Sequence, residues 1–118
     1  MMKKKITLMS FGFKYGPPNT NYYFDVSFAK NPAREERWSL FDEPDNEMVK
    51  YILEQESVQK FVDTAIPFIN VLIDLDDDVR IGIGCNAGRH RSVVISTYLY
   101  EKLRRKDIEV CLIQRDHS

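Results

Sequence analysis

The sequence lacks the features that mark membrane and secreted chains. No apolar run approaches the roughly 20 residues of a transmembrane helix, and none has signal-peptide form. Met1-Met2-Lys3-Lys4-Lys5 is basic, but only four apolar-leaning residues follow before Ser10. Cysteine occurs twice, as Cys85 and Cys111, too far apart to read as a disulfide framework. A reducing cytoplasm is the expected location, with no membrane contact. Charge of one sign is also missing. The formal net charge is −1, so no global field draws the chain to nucleic acid. The local basic runs, Lys3-Lys4-Lys5 and Arg104-Arg105-Lys106, read as solvated flanks of elements. The phosphate loops of ATP and dinucleotide sites, Gly-x4-Gly-Lys-Ser/Thr and Gly-x-Gly-x-x-Gly, do not occur. Of the two histidines, His90 has no second histidine at ligand spacing and His117 lies in the tail. No metal and no cofactor are expected.

What the chain has is the pattern of a small α/β protein. Residues 1–118 suffice for one domain with one modest core. Ile6–Ser10 reads as a strand, and the Gly- and Pro-rich Phe11–Thr20 as a loop. Tyr22–Val26 is a second strand, closing on Asp25. A long connection carrying Asn31-Pro32, the charged Arg34–Arg37 run and Trp38 follows, and long loops are often functional. Asp45 suits an N-cap, before Met48, Val49, Ile52 and Leu53 at helical spacing. Ser57 suits a second cap, before the stripe Val58, Phe61, Val62, Ala65, Ile66, Ile69, Leu72 and Ile73. Pro67 should kink that helix by removing the bond to the Asp63 carbonyl. The acidic turn Asp74–Asp78 ends it. Val79, Ile81, Ile83 and Cys85 alternate with Arg80, Gly82 and Gly84, as in a strand. A helix from about Gly88 to Lys106 and a strand Ile108–Ile113 complete the chain. This order predicts an α/β fold, a small, mostly parallel four-stranded sheet flanked by helices. Ile81, Ile83, Phe61, Ile66, Ile69 and Val94 are the predicted core.

The most informative segment is Val79–Val93. A strand ends at Cys85, and Asn86, Ala87, Gly88, Arg89, His90, Arg91 and Ser92 lead into a helix. A strand–loop–helix junction presents unpaired amides at a helix N-terminus, where the macrodipole favours negative charge. Arg89 and Arg91 add guanidinium forks suited to phosphate, and His90 reads as a further donor. The junction is therefore a predicted phosphate-binding site. Cys85-x5-Arg91-Ser92 also matches the spacing of cysteine-dependent phosphatases, in which one loop wraps one tetrahedral anion. Such an enzyme needs a general acid, and nothing in the sequence selects among Asp25, Asp42 and Asp116. A buried strand-end cysteine without chemistry is the plainer alternative. Lys14, Asp25, Asn31 and Arg115 follow strands by this reading, where open α/β sheets bind ligands. They are the candidates to complete the site walls.

Four co-linear segments carry a family resemblance: Ser10-Phe-Gly-Phe-Lys-Tyr-Gly16, Phe24-Asp-Val26 with Asn31-Pro32, Ile83–Val93, and Arg115-Asp116. Together they resemble the C-terminal domain of the RNase adapter protein RapZ family, over nearly the whole chain. The resemblance implies an α/β domain similar to a sugar-phosphate-binding lobe of phosphofructokinase. It implies an amino sugar phosphate, glucosamine-6-phosphate, held by the Cys85–Ser92 loop, with a nucleotide-type signal as a variant. It implies a regulatory setting in small-RNA processing, so RNA is a further partner class, and it implies self-association. The family's N-terminal nucleotide-binding half has no counterpart in these residues, so ATP or GTP hydrolysis is not expected. The basic C-terminal extension that helps family members bind RNA has no counterpart in Asp116-His117-Ser118. Ser27, Asn86, Ala87 and Gln114 also depart from the family pattern.

The expected function is a non-enzymatic binding module, a sensor or a sponge for a small phosphorylated metabolite. A cysteine-dependent phosphatase and an RNA-binding adapter are the alternatives. Phe11, Phe13, Tyr15, Tyr22, Tyr23, Trp38 and Phe41 are more aromatic surface than one small sheet easily buries. A symmetric homo-oligomer, most simply a dimer, is expected, with part of the Phe11–Phe41 region at the contact.

Overall fold

The computed structural model describes residues 3–117; Met1, Met2 and Ser118, at the ends of the basic start and the polar tail, lie outside the described residues. Four strands and three α-helices follow the order β1 (Lys4–Gly12), β2 (Tyr22–Asp25), α1 (Asn46–Leu53), α2 (Glu56–Leu75), β3 (Asp78–Cys85), α3 (Arg91–Leu103) and β4 (Ile108–Gln114). The sheet order is β2-β3-β1-β4. Every pairing is parallel, with Gly12 beside Cys85, Asp25 beside Gly84 and Ser10 beside Gln114. An α/β fold is therefore present, and its sheet is wholly parallel.

Alternation along the strands splits the sheet into two unlike faces. Ile6 and Leu8 of β1 and Val79, Ile81, Ile83 and Cys85 of β3 join one core cluster with all three helices. The glycines of β3 make room for rings on the opposite face. A Cβ at Gly84 would lie 2.6 Å from the Phe11 and Phe13 rings, and one at Gly82 2.9 Å from Phe11. β1 consequently runs on to Gly12, past the strand end expected at Ser10, and a short 3-10 turn Phe13–Tyr15 follows. Phe11 is fully buried and Trp38 nearly so, so two of the seven aromatics expected at the surface are satisfied within the chain.

The helices keep their expected faces but shift their ends. The Asp45 carboxylate caps α1, accepting from the Met48 amide at 2.8 Å. α2 starts at Glu56 from an N-cap Gln55 that makes no side-chain cap bond, so Ser57 is not its cap. Pro67 sits inside α2, which continues to Leu75. Lys4 Nζ donates to the Ile73 and Asp74 carbonyls, at 2.8 and 3.2 Å. This neutralises part of the negative end of α2 and explains one cation of the basic start. Phe61 and Ile66 are only partly buried, whereas Ile69, Ile81, Ile83 and Val94 are core. Among the described residues, no helix is long and apolar enough to cross a membrane.

Candidate functional site

The candidate site lies beyond the carboxyl end of β3. β3 delivers Cys85, residues 86–90 form the loop, and α3 begins at Arg91 rather than near Gly88. Gly88 explains the later start. Its φ is +72°, which a right-handed helix cannot use and which favours glycine. A Cβ there would also lie 2.5 Å from the Gly12 amide nitrogen. Gly12 is the reciprocal case: a Cβ on it would meet the Ala87 carbonyl carbon at 2.5 Å. The two glycines press the loop backbone onto the end of β1. The Lys14 amide adds a bond to the Asn86 carbonyl at 3.2 Å.

The helix end is left open by its own residues. The first intrahelical bond is Val94 N–H to His90 O, at 2.9 Å. The amides of 91–93 therefore have no acceptor within the helix. The N-cap His90 makes no side-chain cap bond, so the acceptor that Ser, Thr, Asp or Asn would supply is missing. Electropositive amides, an uncapped helix end and two guanidinium groups occur together.

The side chains around the loop are held in place. His90 is buried, and its Nε2–H donates to the Asp42 carbonyl at 2.8 Å. Arg89 Nε donates to the Leu40 carbonyl at 3.1 Å, and its guanidinium stacks over Phe41 at 5.4 Å. Segment 40–42 is thereby fastened over the loop as a wall. Arg91 is buried, and its Nη1 donates to the Ser27 and Ala29 carbonyls at 2.9 and 3.0 Å. It ties the loop to the segment after β2. Cys85 is buried, with Sγ 3.2 Å from Ser92 Oγ.

Asn31, Leu40, Cys85, Asn86, Ala87, Arg89, His90 and Arg91 line a cleft of about 30 Å³. That is room for about two water-sized groups. Amides and guanidinium groups beside it are donors that a small anion can use. Asn31 also accepts from the Ala33 amide at 3.0 Å, starting a short 3-10 turn. Gly88 and Ser92 belong to the loop and the first turn of α3 but do not line the cleft. Lys14, Asp25 and Arg115 share the sheet edge but do not line it. The Lys14 ammonium lies over the Tyr15 ring, and Asp25 accepts from the Ser27 amide at 2.9 Å.

Arg115 and Asp116 form a second lock on β1. Asp116 Oδ2 accepts from the Gly12 amide and from Arg115 Nη2, each at 2.8 Å. Arg115 also donates to the Gly16 carbonyl. Burial pushes the Asp116 carboxyl up. The bonds from Arg115 and Gly12 and the Arg115 charge outweigh it, leaving the group below the usual carboxylate range. Gln114 accepts from the Ser10 hydroxyl and, at 3.3 Å, from Ser96, and its amide donates to Thr97 at 3.0 Å. It joins β4, β1 and α3. Sequence reasoning missed Leu40 and the carbonyls of Ser27, Ala29 and Asp42. Backbone acceptors leave no residue-type signal, and only the unusual length of the 26–45 connection pointed there.

The family model described as the RapZ C-terminal domain matches residues 4–118. Similar curated proteins are the nucleotide-binding proteins of Clostridium beijerinckii, 34% identical, Lawsonia intracellularis, 37% identical, and Clostridium perfringens strain SM101, 38% identical. The matches take in 94% of this chain and 40%, 36% and 40% of those proteins. The chain thus spans about two fifths of the length of the curated relatives it matches.

Proposed function

The chain belongs to the RapZ C-terminal domain family, and from this we propose that it is a regulatory binding domain whose Cys85–Ser92 cleft takes the phosphate of a small metabolite. An amino sugar phosphate such as glucosamine-6-phosphate is the first choice. A nucleotide is the second, because the similar proteins carry the name nucleotide-binding protein. The observation that carries the reading is the uncapped N-terminus of α3, which needs an acceptor from outside the helix. Arg89, His90, Arg91 and Asn31 surround the anion, and Lys14, Asp25 and Arg115 form the rim for the organic part. The chain works as one domain, in the cytoplasm, as a symmetric dimer with part of the Phe11–Phe41 region at the contact.

Binding ranks above phosphatase chemistry because none of the three candidate acids lines the cleft beside Cys85, and each is held elsewhere. Asp25 accepts from Ser27, Asp42 from the Ser39 amide at 2.8 Å, and Asp116 from Gly12 and Arg115. Thermal shift against sugar phosphates, nucleotides and their dephosphorylated counterparts tests the proposal. A specific ligand raises apparent stability by mass action, by about 2.7 kcal/mol at a hundredfold excess over Kd. Protection by no phosphorylated compound refutes it. Release of phosphate from an aryl phosphate, lost in Cys85→Ser, would favour the enzyme. RNA affinity that falls steeply with salt would favour the adapter.

A further inference from the structure

The core uses only part of the apolar surface of α2. Val58, Val62, Ala65, Ile69, Leu72 and Ile73 belong to the core cluster. Beside them Phe61, Thr64, Phe68, Val71 and Leu75 recur at spacings of three and four, the pattern of a helix–helix seam. Phe68, Val71 and Leu75 are 46, 53 and 75% exposed, although a surface helix ordinarily turns its apolar stripe inward. The stripe continues onto the β2 edge. The Phe24 ring lies 5.4 Å from Phe61 and 6.3 Å from Phe68, and Phe28, itself 47% exposed, lies 5.5 Å from Phe61.

We propose that this face docks a second copy of the chain, α2 against α2, antiparallel about a two-fold axis near Phe68. The charges beside the stripe choose both occupant and direction. Lys60 and Asp74 flank it, seven residues to either side of Pro67. Antiparallel pairing about an axis near Pro67 and Phe68 brings Lys60 close to the partner's Asp74, twice per dimer, and Phe61 close to the partner's Leu75. Parallel pairing would carry these two flank charges to opposite sides of the seam and leave them without each other. The two partners are available for this. Lys60 holds an exposed contact to Glu56 on its own helix, at 3.1 Å, and the Asp74 carboxylate has no ion pair among the described residues. A two-fold axis requires such a self-complementary patch. The contact also reaches toward the cleft, because Phe28 sits between Ser27 and Ala29, whose carbonyls accept from Arg91.

The inference rests on the dimer reading above and centres the contact on α2, with Phe24 and Phe28 as the part of the Phe11–Phe41 region that reaches it. Sedimentation at micromolar concentration tests it, with circular dichroism as the check on folding. The parent chain sediments as a dimer, and F68E as a monomer. K60E and D74K each weaken dimerisation roughly tenfold, through two reversed charge pairs. The double variant K60E/D74K recovers it, and so does an equimolar mixture of the two single variants. A dimer that none of these changes weakens overturns the α2 location and leaves self-association standing. Weakening without recovery in the double variant overturns the antiparallel pairing. A monomeric parent chain overturns both the location and the dimer.

Discussion

Arg91→Ala separates two roles that one side chain combines. In the folded chain Arg91 Nη1 donates to two backbone carbonyls, Ser27 O and Ala29 O, from a buried position. A hydrogen bond from a charged donor contributes about 1.5–3 kcal/mol, and a buried carbonyl left unpaired costs about 1–3 kcal/mol. The two bonds share one donor and are not additive, so a loss of about 3–4 kcal/mol is expected. That is a large fraction of the ~5–15 kcal/mol available to a domain, yet it leaves the chain folded. With an m-value of about 2 kcal/mol/M, the urea midpoint falls by about 1.5–2 M. Arg91→Lys recovers little, because an ammonium lacks the planar fork. Ligand affinity must be compared well below the lowered midpoint, where a further loss of about 1.5–3 kcal/mol reports the phosphate contact itself. A midpoint shift below about 0.3 M would show that the two carbonyls need no guanidinium.

Two further outcomes follow from the loop and its lock. Gly88→Ala should cost at least about 2 kcal/mol, because a left-handed φ costs an alanine about 1–2 kcal/mol and its Cβ would meet the Gly12 nitrogen at 2.5 Å; a urea midpoint equal to the parent's would contradict this. Asp116 is favoured in its charged form by folding, so it stabilises fully above the unfolded carboxylate value near 3.9 and loses that contribution as pH falls through its lower folded value. Asp116→Asn keeps an acceptor for the Gly12 amide and loses the charge, so its urea midpoint should fall less between pH 5 and pH 3 than the parent's. Equal slopes would remove Asp116 from the acid response.

Local patterns were legible in the sequence, and non-local ones were not. The alternation Val79, Ile81, Ile83 against Gly82 and Gly84 identifies β3, and Asp45 marks the start of α1. The stripe of α2 was visible, but two of its members, Phe61 and Ile66, turn only partly inward. Periodicity names a face without saying how far the sheet extends beneath it. The length of β1 depends on Phe11 seating over Gly82 and Gly84, residues about seventy positions away. The start of α3 depends on the φ of Gly88, which its neighbours could not reveal. The cleft residues from Cys85 to Arg91, with Asn31, were nameable because residue types carry their chemistry. The wall formed by Leu40 and Asp42 works through backbone carbonyls, which every residue has.

A phosphorylated metabolite bound at the N-terminus of α3 would contact the amides of the loop and of the first helical turn. Backbone-amide NMR shifts during titration with glucosamine-6-phosphate, and separately with glucosamine, test it most directly. Saturable shifts are expected on the amides of residues 86–93 with the phosphorylated compound, and none there with glucosamine. A nucleotide that produces the same shifts where the sugar phosphate does not would change the ligand and keep the site. Titration of both classes that leaves residues 86–93 unmoved, or that moves the surface around Arg104–Lys106 instead, would contradict it.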